Sequence, residues 1–332
     1  RYREELVEAA AMFSDDLAEA YLDGEYTNEM LVAAIRKGCI AEKLVPVFVG
    51  SAYKNKGVQL LLDGFLALSR PPRPQKTLSG MIEAADPRFS GFIFKIQSNM
   101  DPKHRDQIAF LRICSGKFER DMRVLHKRTG KTVRLSSSHK VLGRERETMD
   151  EAYAGDVIGI VGHSEFRIGD TLTADPSIAY REMPRFAPEH FAFPLCGDTA
   201  HFKRFRTGLE HLLQEGVVQT FALPGAPAGA PLLGAVGPLQ FEVLKHRLEN
   251  EYGASARLEA ASWRLVRWIG KDSAPIEDSL LPTGARLAHD AAGAPVIFFA
   301  QEWDCKYFQD RNPKAVLTHL PVGADGAPLS FS

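Results

Sequence analysis

Hydrophobic positions recur at helical spacing in the first part of the chain. Over residues 4–21, apolar side chains lie three and four positions apart, which predicts one amphipathic helix. A second helix is predicted to begin at Thr27 or Asn28, whose side chains can cap a helix, and to end at Gly38. These patterns predict a helical amino-terminal segment.

A short apolar run then leads into a tight loop. Residues 44–49 are too few for a helix core and rich in valine, which predicts a buried parallel strand. Small residues follow at positions 50–52, and Gly57 opens an amphipathic helix. In open α/β sheets, ligands bind at the carboxyl ends of strands because backbone N–H groups can approach them there. An ordinary βα turn has the same pattern, so the pattern leaves both interpretations open.

The spacing of apolar residues changes after a proline-rich linker. Residues 70–76, RPPRPQK, contain three prolines and cannot continue a helix. From residue 80 to about residue 179, apolar and polar positions alternate between Gly, Asp and Asn turns, which predicts a closed antiparallel barrel or a sandwich. The chain is therefore expected to change from helical to all-β structure at this linker.

Strands and helices alternate in the third part. Residues 186–269 predict the order β-α-β-β-α-β, which is the split βαβ arrangement of ferredoxin-like domains. Its helices are predicted to begin at Asp198 or Thr199 and near Pro238. Beyond residue 270 the pattern is less regular, with PVIFFA as a strand and Trp303, Tyr307 and Phe308 as a packed helical turn.

Composition narrows the functional classes. The 332 residues suffice for two or three domains, and 45% hydrophobic with 25% charged residues is ordinary for a globular protein. No apolar run is long enough for a membrane helix, and the four cysteines have neither zinc-ligand nor disulfide-framework spacing. A cytoplasmic protein is expected. No phosphate loop, dinucleotide motif or hydrolase motif is present, so we predict no catalytic or metal-binding residue in this chain.

Positive charge is local. Between Arg112 and Arg146, eleven Lys and Arg residues stand against three Asp and Glu, although the whole chain has a net charge of −1. Such a segment suits contact with phosphates or, alternatively, a solvated sheet face. The candidate ribosome or RNA contacts here are Arg123, Lys127 and Arg128. A second candidate group, Lys103, His104 and Arg105, lies on a predicted exposed turn.

Three stretches resemble one family. GSAYKNKGVQLLLDG resembles the last guanine-recognition motif of the translational GTPases and is especially similar to that of elongation factor G. The Gly-Asp turns of AYAGDVIGI and IGDTL are similar to the second domain of these proteins, and GAVGPLQFEVLKHRLENEYG resembles their third. FKIQSNMDPKHRD, FAPEHF, LLQEGVVQTF and the short tail favour the bacterial class-II peptide chain release factors.

The resemblance implies a fold and a division into domains. It implies a multi-domain chain that combines α/β, all-β and α+β parts: the carboxyl-terminal remnant of a P-loop GTPase domain, a Greek-key β-barrel and a ferredoxin-like split βαβ domain. The expected bounds are 1–70 for the GTP-binding part, 71–79 for the linker, 80–180 for the barrel, and 181–332 for the third domain with its carboxyl-terminal extension.

The resemblance also implies a function. Such factors are ribosome-dependent GTPases that promote dissociation of class-I release factors after peptide release. Ser51 and the backbone of Ala52 would contact the guanine base, and Lys54 would flank it. GTP or GDP with magnesium is implied for the full-length protein, and the ribosome, through its RNA and proteins, is the implied partner. With a ribosome to bind, the basic segment is more readily explained as an RNA-facing surface.

The chain begins at Arg1 in the middle of a helical pattern, so we expect a fragment without most of the GTP-binding domain. As such, it is predicted to be catalytically inactive, monomeric, unattached to membranes and unable to bind GTP tightly. Two alternatives remain open at this point: a truncated relative of elongation factor G, and a ribosome-binding module without catalytic function.

Overall fold

The computed structural model describes residues 1–98, 107–142, 145–181, 183, 185–225, 231–323 and 328–329. The chain divides into two compact units, residues 1–73 and residues 74–332. Among the helices described, none combines the length and the apolar composition that crossing a membrane requires.

The first unit is helical. Its helices are α1 (Tyr2–Ala11), α2 (Asp15–Leu22), α3 (Asn28–Ile40) and α4 (Val58–Leu68). The prediction of one helix over residues 4–21 is wrong, because the backbone at Ser14 is extended and separates α1 from α2. Asp15 and Asp16 then occupy the first turn of α2, where carboxylates interact favourably with the helix dipole.

Helix α3 begins as predicted and ends later. The Thr27 hydroxyl accepts a hydrogen bond from the Met30 backbone N–H at 3.2 Å and caps the helix. The prediction that Gly38 ends this helix is wrong, because α3 continues to Ile40. A Cβ atom at Gly38 would lie 2.8 Å from the Phe13 ring, so this glycine permits close packing of the phenylalanine.

The predicted buried strand at residues 44–49 is also wrong. These residues form no strand, and Val47 and Val49 are 84% and 93% exposed. A strand needs a neighbour for its backbone hydrogen bonds, and no strand occurs in the described part of the first unit. Helix α4 likewise buries none of its residues, although seven of its eleven are leucine, valine or phenylalanine. An apolar surface therefore lies uncovered here.

The second unit begins with strands. They are β1 (Gln75–Thr77), β2 (Gly80–Ile82), β3 (Ser90–Ser98), β4 (Gln107–Ser115), β5 (Lys117–Glu119), β6 (Arg123–His126), β7 (Lys131–Arg134), β8 (Ser138–Leu142), β9 (Glu145–Thr148), β10 (Glu151–Tyr153), β11 (Val157–Val161) and β12 (Thr171–Thr173). Eight of them form one antiparallel sheet in the order β7-β6-β12-β3-β4-β11-β8-β9. The core of this region lies among Ile93, Leu111, Phe118 and Ile158, all fully buried.

A buried carboxylate fixes the turn that leads into β12. Asp170 accepts hydrogen bonds from His126 Nε2 at 2.8 Å and from Arg128 Nε at 2.6 Å, and the Arg167 backbone N–H donates to it at 2.7 Å. Burial alone would raise the pKa of Asp170, but these donors outweigh it and lower the pKa to about 2. The carboxylate therefore ties β6 to β12 in its charged form.

The remaining strands form a second sheet, and three helices lie between them along the chain. They are β13 (His190–Cys196), α5 (Phe202–Gln214), β14 (Gln219–Ala222), β15 (Leu232–Ala235), α6 (Pro238–Tyr252), β16 (Ala256–Ala260), β17 (Leu265–Ile269), β18 (Arg286–Asp290), β19 (Pro295–Phe299), α7 (Glu302–Arg311) and β20 (Leu317–Thr318). The predicted order β-α-β-β-α-β is confirmed for β13 through β16. A 3₁₀ turn at Thr199–His201, capped by Asp198, precedes α5.

The less regular carboxyl-terminal part extends this same sheet. The order is β16-β13-β15-β14-β18-β19-β17-β20, and β14 pairs with β18 through Phe221 opposite Asp290. An aromatic cluster covers the joint: the Phe298 ring centroid lies 5.0 Å from that of Phe191 and 5.1 Å from that of Phe221. Trp268 is fully buried, and its indole N–H donates to Asp290 at 2.8 Å. The two groups of strands therefore share one core.

A second buried carboxylate joins the two sheets. Glu215, at the end of α5, accepts a hydrogen bond from the Ser98 backbone N–H at 2.8 Å. Arg247 of α6 donates to both oxygens of the same carboxylate, at 2.5 and 3.2 Å. The end of β3 is therefore tied to both helices of the second sheet through one side chain.

The shared aromatic core yields a stability prediction. Phe221→Ala removes a buried ring from the joint between β14 and β18 and is expected to cost about 3–5 kcal/mol of unfolding free energy. Phe65→Ala, which truncates a ring 65% exposed on α4, is the matched control and should cost less than about 0.5 kcal/mol. Urea denaturation followed by circular dichroism measures both, and equal costs would contradict this description of the core.

The Asp170 network predicts a pH dependence. Its folded pKa lies below the unfolded value of about 3.9, so its contribution of about 2 kcal/mol is present above pH 4 and is lost as the pH falls towards 2. Asp170→Asn should therefore lower stability at pH 7, and its difference from the unchanged chain should shrink in acid. Asp150→Asn, at an exposed carboxylate, is the control and should have little effect at either pH.

Candidate functional site

The loop between residue 49 and α4 is a closed turn. Ser51 and Lys56 exchange two backbone hydrogen bonds, from Ser51 N–H to Lys56 at 2.9 Å and from Lys56 N–H to Ser51 at 3.0 Å. The Asn55 N–H donates to the Ala52 carbonyl at 3.1 Å within this bridge. Residues 52–55 are therefore held as a compact, exposed tip.

Two glycines allow the loop to close. Gly57, the residue before α4, has φ of +74°, and a Cβ atom there would lie 2.8 Å from the Val49 carbonyl oxygen. At Gly50, a Cβ atom would lie 2.7 Å from the Lys56 carbonyl oxygen. Asn55 also has a positive φ, 49°, which asparagine tolerates better than most residues. The small residues therefore have a structural role besides any access for a ligand.

The three residues of the predicted guanine contact differ in what they can offer. Both backbone groups of Ser51 are used by Lys56, and its hydroxyl accepts a long bond of 3.4 Å from the Lys54 N–H. The Ala52 N–H donates to no other residue of the described chain, and the Lys54 side chain is exposed. The Ala52 amide is therefore the donor most available to a base oxygen.

The described residues contain no group of three or more His, Cys, Asp and Glu side chains placed to hold a metal ion. Burial raises the pKa of the Cys114 thiol to about 11 and also raises the pKa of Cys305, which disfavours the reactive thiolate form.

Arg123 and Arg134 form a pair of like charges. They lie directly opposite each other in the antiparallel pair β6–β7. Like charges at such positions repel, because facing Cβ atoms are only about 5 Å apart. Arg134 forms an ion pair with Asp121 at 3.2 Å, which offsets part of this repulsion. Arg123 has no ion pair or side-chain hydrogen bond within the described part of the chain. Arg123 is therefore an exposed cation without internal compensation.

The other two basic candidates on this sheet are engaged. The Lys127 ammonium donates to the Pro176 carbonyl at 2.6 Å. Arg128 binds Asp170 through two nitrogens, and it donates to the Glu165 carbonyl at 2.7 Å. Hydrogen bonding to Asp170 raises the pKa of the Arg128 guanidinium, which fixes it as a cation within the fold. The structure thus distinguishes Arg123 from two neighbours that the sequence grouped with it.

The third group of candidates, Lys103, His104 and Arg105, lies outside the described residues. Sequence reasoning missed the structural roles of Asn55 and Asp121, which have positive φ angles of 49° and 67°. Both residue types tolerate that conformation, and each stands in a short polar turn, which was the available signal.

Two family descriptions match the second unit. "Elongation factor G domain 2" matches residues 88–175, and "Class II release factor RF3, C-terminal domain" matches residues 180–309. The first covers the strands of the first sheet. The second covers β13 through β19 and most of α7, and so includes β17, β18 and β19, three of the strands that extend the second sheet.

Whole sequences named "Peptide chain release factor 3" are also similar. That of Synechocystis sp. is 44% identical over 294 residues, which are 89% of this chain and 52% of that protein. That of Gloeothece citriformis is 41% identical over 287 residues, 86% of this chain and 53% of that protein. The chain spans about half the length of the curated relatives that it matches.

A crystal structure from Thermus thermophilus has a similar fold. It superposes with a TM-score of 0.60 at 23% identity, covering 87% of this chain and 42% of that one. At this identity the similarity concerns the fold alone. The two family matches and the level of identity to the full-length relatives agree, and over the part that it spans this chain belongs to the peptide chain release factor 3 family.

Proposed function

We propose that the chain is part of a ribosome-dependent GTPase of translation termination, which promotes the dissociation of class-I release factors from the ribosome in the cytoplasm. The match of residues 180–309 to the release factor 3 carboxyl-terminal domain carries this proposal. The elongation factor G description, by comparison, matches residues 88–175, which lie outside that region. The truncated elongation factor G considered above is therefore disfavoured.

In this proposal, residues 1–70 are the end of a P-loop GTPase domain, 71–79 a linker, 80–180 a Greek-key β-barrel, and 181–332 a ferredoxin-like domain with an extension. The uncovered apolar surface of residues 44–68 supports the first assignment. Exposed valines and leucines of this density are costly in water, so they call for a covering partner. The sheet of the nucleotide-binding domain would supply that cover.

The base of GTP or GDP would bind at the closed turn of residues 51–56. The Ala52 amide would donate to the guanine oxygen, while Ser51 holds the turn shut and Lys54 lies beside the base. The sequence contains no phosphate-loop motif, so in this proposal magnesium and the phosphates would bind to other parts of the full-length protein.

Ribosomal RNA would contact the basic sheet around Arg123. The cross-strand pair Arg123 and Arg134 is unfavourable in isolation, and a phosphate between the two guanidinium groups would relieve their repulsion. Lys127 and Arg128 would add long-range positive potential while remaining bound to Pro176 and Asp170. Lys103, His104 and Arg105 remain candidate contacts from the sequence alone.

This surface gives a testable ribosome-binding prediction. Co-sedimentation of the chain with ribosomes should weaken steeply as salt rises, because phosphate contacts release counterions. Arg123→Glu should reduce binding at low salt by about tenfold and lower the salt slope by about one.

The matched control is Arg206→Glu, which reverses an exposed arginine on α5 that is paired with Glu210. It should leave binding close to that of the unchanged chain. Co-sedimentation that does not depend on salt, or equal losses in the two variants, would contradict the assignment of the surface. If the unchanged chain fails to bind ribosomes at all, the proposed function itself is wrong.

A second prediction concerns the nucleotide. Because the turn can contact only the base, the 332-residue chain should bind fluorescent mant-GTP no more tightly than millimolar, and it should not hydrolyse GTP. Fluorescence titration with mant-GTP measures this directly. Micromolar affinity would show that this chain itself contains a phosphate site and would overturn the prediction.

A further inference from the structure

We infer that the amino-terminal end of α7, together with the cleft beside it, binds one unpaired nucleotide of RNA, with the base stacked on Trp303. This inference rests on the proposed function, which brings the chain to the ribosome, and it assigns to the carboxyl-terminal strands and helix a contact distinct from Arg123.

Helix α7 presents a column of planar groups. The rings of Trp303 and Tyr307 are stacked, with centroids 5.1 Å apart and planes at 14°. The Arg311 guanidinium lies 5.0 Å from the Tyr307 centroid. The three residues are spaced four apart, so they follow one another along one face of the helix.

This column is outside the core. The face of α7 that packs inward carries Cys305 and Phe308, both buried, whereas Trp303 is 66% exposed. The sequence predicted Trp303 and Tyr307 to be packed with Phe308, and for Trp303 that prediction is wrong because its position lies on the outer face. The large exposed ring calls for a partner that can use it.

The column of planar groups ends in an aromatic ring towards the start of α7. Tyr307 lies between Trp303 and Arg311, so its two neighbours along the helix are already planar groups. Trp303 is the first member, and helical side chains lean towards the amino terminus of their helix. Beyond Trp303, on the side of the helix start, a further planar group can therefore continue the column on an aromatic face.

A cleft of about 510 Å³ lies at this helix start. Its lining is mostly polar: Ser262, Arg264, Leu265, Ala300, Gln301 and Glu302. Arg264 is exposed, and its side chain makes no hydrogen bond or ion pair within the described part of the chain. The cleft thus places an available guanidinium and a carboxylate next to the residue that ends the aromatic column.

This set of groups matches the parts of a nucleotide. Aromatic side chains are the usual platforms for unpaired RNA bases, and guanidinium groups bind phosphate. The Glu302 carboxylate can accept from an exocyclic amino group, as carboxylates do with cytosine. Because Glu302 also repels phosphate, the cleft suits one phosphate near Arg264 rather than a long polyanion. The carboxylate favours adenine, cytosine or guanine, each of which has an exocyclic amino group, over uracil, which has none.

Trp, Tyr and Arg are also common at the centres of protein interfaces. The observations favour a nucleotide because the column ends in a free planar face beside a polar cleft that holds an unpaired guanidinium. The anchor residues of protein partners usually insert into apolar pockets, whereas this cleft is lined mostly by polar residues.

The test measures binding of a labelled single-stranded oligoadenylate to the whole 332-residue chain by fluorescence anisotropy, near physiological salt to screen weak contacts. Trp303→Ala and Arg264→Ala should each weaken binding by about tenfold, which is in the range found for loss of one stacked base. Trp303→Phe, which keeps a platform, should retain most of the affinity. A duplex of the same length should bind equally to the unchanged chain and to Trp303→Ala.

Matched controls are Phe202→Ala, which truncates an exposed aromatic ring on α5, and Arg257→Ala, which removes an exposed cation on β16. Each should bind oligoadenylate as the unchanged chain does. If Trp303→Ala and Arg264→Ala also bind normally, the inference is overturned.

Ribosome co-sedimentation of the same variants separates the two proposals. If Trp303→Ala loses ribosome binding but keeps oligoadenylate binding, α7 contacts a ribosomal protein and the nucleotide inference is wrong, while the proposed function stands. If the unchanged chain binds oligoadenylate through Trp303 but binds no ribosome, the nucleotide site is supported and the proposed function fails.

Discussion

The second unit depends on the pairing of β14 with β18. Only two residue pairs define the register, Phe221 with Asp290 and Ala222 with His289. They continue the backbone ladder of the β-α-β-β-α-β strands into the carboxyl-terminal strands, so that β14 has no free edge on that side. Because the sheet is continuous, Phe221 can pack simultaneously against Phe298 and Trp268. The carboxyl-terminal strands are therefore part of the core.

Charged groups connect elements where apolar packing alone would not specify a geometry. Glu215 accepts hydrogen bonds from the Ser98 amide and the Arg247 guanidinium. Asp170 accepts them from His126 and Arg128. Removing either carboxylate would leave a buried donor, the Ser98 amide or His126 Nε2, without its acceptor, which is more costly than losing an exposed ion pair. Burial also makes these contacts directional, since the hydrogen bonds to each carboxylate require fixed positions for the elements that donate them. We interpret Glu215 as the side chain that fixes the first sheet against the helices of the second, and Asp170 as the one that fixes β6 against β12 within the first sheet.

The sequence predicted elements whose signals are local. The order β13 through β16 and the cap at Thr27 both follow from short patterns. The sequence predictions failed where the structure of a segment depends on contacts with residues distant in the sequence. Residues 44–49 have the composition of a buried parallel strand, but a strand is completed by partners, and no strand lies in the described part of the first unit. Similarly, nothing near Arg128 in sequence indicates that Asp170, forty-two positions away, neutralises it.

The same dependence on neighbours separates structural side chains from candidate binding residues. Arg128 and Trp268 have buried partners, so their chemistry is used inside the fold. Arg123 faces another arginine, and Trp303 ends a stack with one open side, so neither is explained by stability. Two arginines or two tryptophans can therefore differ in role, according to whether each has a partner inside the fold. Composition does not reveal this difference. A pair of facing cations costs stability in the free chain, and an exposed indole gains little from burial, so both residues suit the bound state that we propose, in which RNA supplies the missing partners.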